Sequence, residues 1–153
     1  MAVSFECQTV VDAAVDVLFD LSLSIDAHLA SMSESRERAV AGVTSGMIGV
    51  GERVTWKAKH FGMPFTMTSE IIELDRPHRF VDQQVKGPFR RFWHEHTFEP
   101  SPAWPVMIDR IEFEAPLGPL GRVAERLVLR SYLRKLIEQR NAFLKGAAEG
   151  VGS

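Results

Sequence analysis

The sequence predicts an α+β fold in which a curved antiparallel sheet of about seven strands packs around one long C-terminal helix. Most of the chain between Ala2 and Pro116 alternates apolar and polar residues with the period of two that is typical of strands. The connections between these stretches are short, so neighbouring strands must run antiparallel. Residues 118–145 are rich in Leu, Arg, Lys and Glu and contain no proline after Pro119, which indicates a helix.

One strand and two short helices are predicted to open the chain. Residues 3–9 alternate between an apolar and a polar face, as a strand with one buried side does. Asp12 is in position to cap a first helix, and Ser22 or Ser24 to cap a second one. The two helices are therefore expected to follow the first strand in the sequence and to precede the other strands.

Six further strands follow, and turn signals that contain Gly or Pro separate them. The predicted strands are residues 40–47, 53–60, 65–72, 79–85, 90–99 and 106–114. In the second of these, Val54, Trp56 and His60 share one face, while the charged residues face the other way and are expected outside. The turn at residues 100–105 holds three prolines around Trp104, which either folds back on the sheet or contacts a partner.

The predicted C-terminal helix has two apolar faces that point in nearly opposite directions, at about 100° per residue. Its first turns carry Leu120 and Leu127, which are out of phase with the later apolar residues. The later face comprises Leu129, Tyr132, Leu133, Leu136, Ile137, Phe143 and Leu144. The first turns are therefore either a separate short helix or packed against something other than the sheet. Arg140 interrupts the later face, either with its head at the rim or as a cation that faces the interior, and Asn141 is expected on the exposed side.

The length and composition are those of one globular domain, 1–153, with a flexible tail expected at 146–153. A hydrophobic content of 45% and a charged content of 25% are ordinary for this class of protein. The formal net charge of −2 gives no reason to expect nucleic acid as a partner. With a single cysteine, Cys7, no internal disulfide can form, and a reducing compartment is expected.

No targeting or membrane segment is expected from the sequence. The N-terminus lacks a basic region followed by an apolar run, so no signal peptide is predicted. No apolar stretch approaches the roughly 18 residues that a membrane span needs. A cytoplasmic monomer or homodimer without a cofactor is therefore the expectation.

The pattern most suggestive of chemistry is an alternation of two phenylalanines and two histidines in one predicted strand. The residues concerned are Phe92, His94, His96 and Phe98. Residues two apart on a strand share a face, so both imidazoles stand beside two phenyl rings. Asp109 lies on the otherwise apolar face of the neighbouring strand, where a buried carboxylate needs a partner such as an imidazole.

Three roles are open for His94, His96 and Asp109. They can satisfy one another as structural groups inside the sheet, or they can orient a ligand in an otherwise apolar pocket. They can also carry chemistry, either as metal ligands or as a general acid–base pair. A His-x-His pattern alone is a weak signal for a metal, so no metal is assigned and the three residues stand as catalytic candidates.

Three stretches of the sequence carry a resemblance to a known family. They are GERVTW with HFG at 51–56 and 60–62, FVDQQ with GPF at 80–84 and 87–89, and HEHTF at 94–98 with Asp109 downstream. With the predicted order of elements, they resemble the START-like (SRPBCC, or polyketide cyclase–Bet v 1-like) superfamily and, within it, a bacterial subgroup without an assigned function. The chain departs from that subgroup at residues 100–105, where a Gly-Gly-Thr turn is common.

The resemblance implies the helix-grip fold, with a deep apolar cavity between the concave sheet and the C-terminal helix. It also implies binding of a small hydrophobic or amphipathic molecule that is lipid-, polyketide- or quinone-like. It carries over no mechanism, because the superfamily has no shared catalytic residues. The residues expected to form apolar walls are Phe5, Trp56, Phe65, Met67, Phe92, Phe98, Met107, Ile111, Leu133, Leu136 and Ile137. The residues expected to orient the ligand are His60, His94, His96 and Asp109.

Two other functions stay open beside ligand binding. One is an enzyme of the cyclase or dehydratase kind, in which His94 or His96 acts as acid or base and Asp109 orients it. The other is an interaction module that docks through the Trp104 turn and the first turns of the long helix.

Overall fold

A seven-stranded sheet and a long C-terminal helix form the architecture of the protein. The computed structural model describes residues 2–115 and 128–151. Within them, the predicted order of one strand, two short helices, six strands and a helix is confirmed. The strands are β1 (Val3–Val10), β2 (Arg38–Gly42), β3 (Arg53–His60), β4 (Met63–Asp75), β5 (Arg79–Lys86), β6 (Arg91–Glu99) and β7 (Val106–Glu114). The helices are α1 (Val15–Ser22), α2 (Ile25–Ser31) and α3 (Arg130–Val151), with a 3-10 turn at Ser33–Ser35.

The sheet is an antiparallel meander whose strand order is β1-β7-β6-β5-β4-β3-β2. Strands β2 to β7 lie side by side in the order of the sequence. Strand β1 pairs with β7 and forms the edge of the sheet opposite β2. The register shifts once between β2 and β3 and twice between β4 and β5. Such bulges bend a strand and increase its twist. The bent sheet offers its concave side to α3, which positions the site described below.

Strand β2 differs from the prediction because a glycine ends it early. The sequence predicted a strand at 40–47, but the strand covers Arg38–Gly42 and Met47 forms only an isolated bridge with Ser24. Gly42 has a φ of +73°, and a Cβ there would lie 2.1 Å from the carbonyl oxygen of Arg53. The backbone therefore needs glycine at this position, and the chain leaves the sheet there.

The two short helices begin differently from each other. Ser24 caps α2 as predicted, and its hydroxyl oxygen accepts the N–H of Ala27 at 3.1 Å. The cap predicted for α1 is wrong: Ala14 occupies that position and no side chain caps it. The backbone N–H of Asp12 instead donates to Glu149 of α3 at 2.9 Å, so this residue ties the first strand to the C-terminal helix.

Helix α3 extends further than the sequence suggested. The predicted flexible tail is wrong for 146–151, because the helix continues to Val151 and Ala148 is buried. Lys145 donates to the carbonyl oxygen of Val10 at 2.8 Å, which holds this part of the helix against β1. The predicted helical turns at 118–127, with the two interpretations of their phase, lie outside the described residues.

The buried side of α3 is turned slightly from the predicted one. Ile137 and Leu144 are buried as expected, but the buried set also contains Arg140 and Asn141. Phe143, which was predicted on the buried face, is 40% exposed. The buried residues recur every three or four positions, so Phe143 falls outside that stripe while Asn141 falls within it.

The turn between β6 and β7 leaves its tryptophan partly in solvent. Trp104 is 47% exposed, and its backbone N–H donates to the hydroxyl of Ser101 at 3.1 Å. The indole is therefore not folded away into the core.

Candidate functional site

A cavity of about 350 Å³ lies between the concave face of the sheet and α3. Ten of the fifteen residues that were predicted to form its apolar walls or to orient a ligand line it: Trp56, His60, Phe65, Met67, Phe92, His94, His96, Leu133, Leu136 and Ile137. They come from β3, β4, β6 and α3, because side chains of one parity on each strand face the concave side. Phe61, which is 58% exposed, also borders the cavity and marks where it meets solvent.

Five predicted lining residues are buried elsewhere. Phe98 and Met107 belong to the core beneath α1, where Phe98 meets the ring of Phe19 edge-on at 5.2 Å between centroids. Phe5 and Ile111 belong to a second core cluster. Asp109 is fully buried and lies behind His94 rather than in the cavity wall. The period of two assigns these residues to the correct side of the sheet, but it does not tell which part of that side the helices cover.

Strand pairing brings the buried histidines and their carboxylates together. On β5 and β6, Asp82 is the direct partner of His94, and on β6 and β7, His96 is the direct partner of Asp109. Directly opposed residues of antiparallel strands have neighbouring side chains on one face. The two carboxylates therefore flank the two imidazoles from adjacent strands. We call Asp82, His94, His96, Asp109, Arg140 and Asn141 the polar cluster.

His94 is held by the carboxylate of Asp109. Its Nε2–H donates to Asp109 Oδ1 at 2.7 Å, and both side chains are almost completely buried. An ionised carboxylate can only accept, so Nε2 carries the proton and the lone pair is on Nδ1. Because His94 borders the cavity, this leaves a hydrogen-bond acceptor at the cavity wall. The predicted pairing of Asp109 with an imidazole is confirmed.

His96 has a partner on each ring nitrogen. Its Nε2–H donates to Asp82 Oδ2 at 2.7 Å, and its Nδ1 accepts from Nη2 of Arg140 at 3.4 Å. The ring stacks on His94 at 3.7 Å and on Phe80 at 4.0 Å between centroids. With both nitrogens engaged, His96 is less available for chemistry than His94, which ranks two candidates that the sequence left equal.

Arg140 and Asn141 complete the cluster from the helix side. Arg140 donates from Nη1 to Asp109 Oδ1 at 3.2 Å, and Asn141 donates from Nδ2 to Asp109 Oδ2 at 2.7 Å. The side chain of Arg140 is only 5% exposed and its guanidinium contacts the buried Asp109, so the interpretation of Arg140 with its head at the rim is wrong and that of an inward-facing cation holds. Asp109 thus receives hydrogen bonds from three side chains, as a buried carboxylate requires.

The protonation states follow from this arrangement. Burial and the neighbouring His96 lower the pKa of His94 to about 4, so the ring is neutral at pH 7. Burial alone would raise the pKa of Asp109, but Arg140 and the bond from His94 bring it well below its usual range. Burial also opposes ionisation of Asp82, yet the bond from His96 leaves its pKa below the usual value. The cluster therefore holds two carboxylates, one guanidinium and, from these pKa shifts, a neutral His94.

Sequence patterns offered only weak signals for the additional members of the cluster. Asp82 shares a strand face with Phe80, but alternation alone does not tell which side of the sheet that face occupies. The register of β5 against β6 decides it, since Asp82 lies opposite His94. Asn141 was assigned to the exposed side of the helix from its polarity.

Asp82, His94 and His96 are the group, within the described residues, that could hold a metal, because their ligand atoms lie within 4.8 Å of one another. Both Nε2 atoms are engaged with carboxylates, however, and the ring planes differ by only 21°. Lone pairs of nearly parallel rings do not converge on one ion, so a metal would require one ring to turn. The arrangement as it stands is suited to hydrogen bonding.

Two further polar pairs lie on the cavity wall. His60 Nδ1 and the hydroxyl of Tyr132 are 2.6 Å apart, which links the end of β3 to the start of α3. Burial lowers the pKa of His60 and raises that of Tyr132, so both are neutral at pH 7. His28 is hydrogen-bonded to Glu37, and its ring lies 4.4 Å from that of Trp56. Apart from such pairs, the described wall is mostly apolar.

The architecture and the cavity define a helix-grip domain with an internal ligand-sized space. Residues 2–149 match the family described as polyketide cyclase / dehydrase and lipid transport. The chain belongs to this family, which confirms the START-like superfamily expected from the sequence. A comparison with curated proteins gives no significant match. None of the helices in the described part of the chain is long and apolar enough to cross a membrane.

Several solved structures share the fold at low sequence identity. A protein from Thermus thermophilus is 17% identical, with a TM-score of 0.80 over 99% of this chain and 100% of that one. The Zhui aromatase/cyclase from a Streptomyces species is 15% identical, with a TM-score of 0.77 over 97% and 94% of the two chains. The major latex-like protein 151 of Panax ginseng is 15% identical, with a TM-score of 0.70 over 96% and 97%. These similarities confirm the predicted helix-grip fold.

Proposed function

We propose that the protein binds a small hydrophobic or amphipathic molecule of lipid-, polyketide- or quinone-like chemistry in the cavity between sheet and α3. The observation that carries this proposal is a space of about 350 Å³ with a mostly apolar described wall. Pockets for small molecules combine such walls with a few polar groups that fix orientation. The polar cluster and the His60–Tyr132 pair provide those groups.

The chemistry of the wall supports a flat or flexible apolar ligand. Aromatic side chains from the sheet, Trp56, Phe65 and Phe92, are opposed by Leu133 and Ile137 from the helix. Aromatic rings offer large apolar faces to a planar ligand. Membership of the polyketide cyclase / dehydrase and lipid transport family is consistent with such a ligand.

The freshly purified protein is expected to carry an organic ligand or to bind a neutral apolar probe. A native mass spectrum should give a mass excess that disappears on denaturation. If the protein is purified empty, N-phenyl-1-naphthylamine should bind with one site per chain and a dissociation constant in the micromolar range, about −8 kcal/mol. A bare native mass together with no saturable probe binding would contradict the proposal.

A second candidate function is catalysis of a cyclase or dehydratase kind, and the free Nδ1 of His94 favours it. The nitrogen is held at the cavity wall by the bond between Nε2 and Asp109. In a dehydration, Nδ1 would take a proton from the carbon next to a ketone while Asp109 stabilises the imidazolium. The same proton would then pass to the departing β-hydroxyl group, which leaves as water, so that a conjugated enone forms.

An aryl β-hydroxyketone is the substrate to test, because the enone product absorbs in the near ultraviolet. His94→Asn should lower kcat/KM at least about tenfold, since it removes the base. With the pKa of His94 at about 4, activity of the wild type should be constant above about pH 5 and fall as the pH approaches 4. His78→Asn, at an exposed position in the turn before β5, is the matched control. Equal turnover in the wild type and His94→Asn, or no turnover at all, would rule out this candidate.

A further inference from the structure

On the described wall of the cavity, the guanidinium and the imidazoles of His28, His94 and His96 each already contact a carboxylate. Glu37, Asp82 and Arg140 are the carboxylates and the guanidinium on that wall. The charge of Arg140 is already matched by Asp109, which lies behind the wall at 3.2 Å. His94 adds no positive charge, because it is neutral at pH 7. A bound anion would therefore meet no uncompensated cation among the described residues.

The polar group that His94 offers to the cavity is an acceptor. Its Nε2–H is used by Asp109, so Nδ1 has a lone pair and no proton. No donor in the described part of the chain occupies this nitrogen, and the closest charged oxygen, Asp82 Oδ2 at 4.0 Å, is itself an acceptor. Two acceptors side by side in a buried wall favour a ligand that brings a hydrogen-bond donor.

The other described polar pairs supply no donor beside His94. The bond between His60 Nδ1 and the Tyr132 hydroxyl uses one of that pair's two protons, so one donor is left there, but β3, which carries His60, is separated from β6 by two strands. His28 bonds to Glu37. Ser69 borders the cavity with a hydroxyl that can donate or accept, so it can serve either kind of ligand.

We propose that the bound molecule presents a neutral hydroxyl group, of the phenol or alcohol type, to Nδ1 of His94, and that molecules with a carboxylate at this end are rejected. The inference rests on the proposed binding function and specifies its ligand class. An ionised carboxylate has only acceptors, so it would leave Nδ1 without a donor and add a second negative charge beside Asp82. A hydroxyl satisfies Nδ1 without adding charge.

Three probes with one ring system separate these effects: 2-naphthol, 2-naphthoate and naphthalene, each competing with N-phenyl-1-naphthylamine at pH 7.5. The naphthol is neutral and the naphthoate ionised at this pH. We expect naphthol to bind about tenfold more tightly than naphthalene, which is the effect of one hydrogen bond to a buried acceptor. Naphthoate should bind more weakly than naphthalene, because its charge is buried without a partner.

The outcomes distinguish this inference from the proposed function. If naphthoate binds as tightly as naphthol, or naphthol no better than naphthalene, the hydroxyl inference is wrong while ligand binding stands. If neither the fluorescent probe nor any of the three compounds binds, the proposed function itself is wrong, and the inference falls with it.

A variant of the wall charge gives an independent test. Asp82→Asn keeps an oxygen that accepts from His96 and removes the negative charge. The ratio of naphthol to naphthoate affinity should fall about tenfold in this variant, because naphthoate no longer meets a like charge. Glu70→Gln is the matched control, since Glu70 pairs with Arg53 and does not border the cavity. An unchanged ratio in Asp82→Asn would overturn the role of charge in this selection.

Discussion

Replacing Arg140 with methionine is expected to lower the free energy of unfolding by about 3–5 kcal/mol. Arg140 and Asp109 are 5% and 0% exposed, and the guanidinium donates to the carboxylate at 3.2 Å. Methionine fills similar space but leaves the negative charge of Asp109 buried without its ion-pair partner. Losing one member of a buried pair is far more costly than losing an exposed one. Urea denaturation, monitored by circular dichroism, measures the difference in free energy of unfolding between the wild type and the variant.

Two companion variants identify the cause of that loss. Arg130→Met makes the same change at an exposed position of α3 and should shift the free energy of unfolding by less than about 0.5 kcal/mol. Arg140→Met combined with Asp109→Asn removes the unpaired negative charge of residue 109, while the amide oxygen of the asparagine can still accept from His94. This double variant should lose less stability than Arg140→Met alone. If the double variant is the less stable one, the buried charge is not what makes Arg140 important.

Replacing Ala58 with phenylalanine is expected to weaken binding of N-phenyl-1-naphthylamine at least about a hundredfold, or roughly 2.7 kcal/mol. Ala58 borders the cavity from β3, directly opposite Phe65 of β4. A phenyl ring added at this Cβ enters a space of about 350 Å³ that the ligand would otherwise fill. The backbone can stay as it is, because the new ring occupies empty volume rather than a packed core.

The neighbouring residue of the same strand provides the control for Ala58→Phe. Lys57 faces the other side of the sheet and is exposed, so Lys57→Phe adds the same ring outside the cavity. This variant should bind the probe as the wild type does. Equally tight probe binding by Ala58→Phe, with its circular dichroism spectrum unchanged, would mean that the probe binds somewhere other than the cavity.

The architecture could be predicted from the sequence because its signals are local. Alternation with a period of two identifies the six later strands, and short turns require the antiparallel order. Errors arose where a long-range contact decides the structure. Gly42 ends β2 because a carbonyl of β3 lies against it. The segment 146–151 is helical because Ala148 is buried and Glu149 accepts from the backbone of Asp12, which no local pattern reveals.

The candidate site was predictable in part for the same reason. His94 and His96 share a face by strand geometry, and the need of a buried Asp109 for a partner follows from its apolar neighbours. The contribution of Asp82 depends on the register between two strands, which sequence alternation does not fix. The burial of the Arg140 side chain depends on how closely α3 packs against the concave face of the sheet. A helical wheel gives direction around the axis but not depth.

The position of Trp56 makes the interior of this protein optically accessible. Of the three tryptophans, Trp56 borders the cavity, while Trp93 and Trp104 do not. Its indole is in contact with the ring of His28 and faces the space that a ligand would fill. With the other two tryptophans changed to phenylalanine, the emission spectrum would come from this wall alone. The wavelength and intensity of the Trp56 fluorescence would then report the polarity of whatever occupies the cavity, without an attached dye.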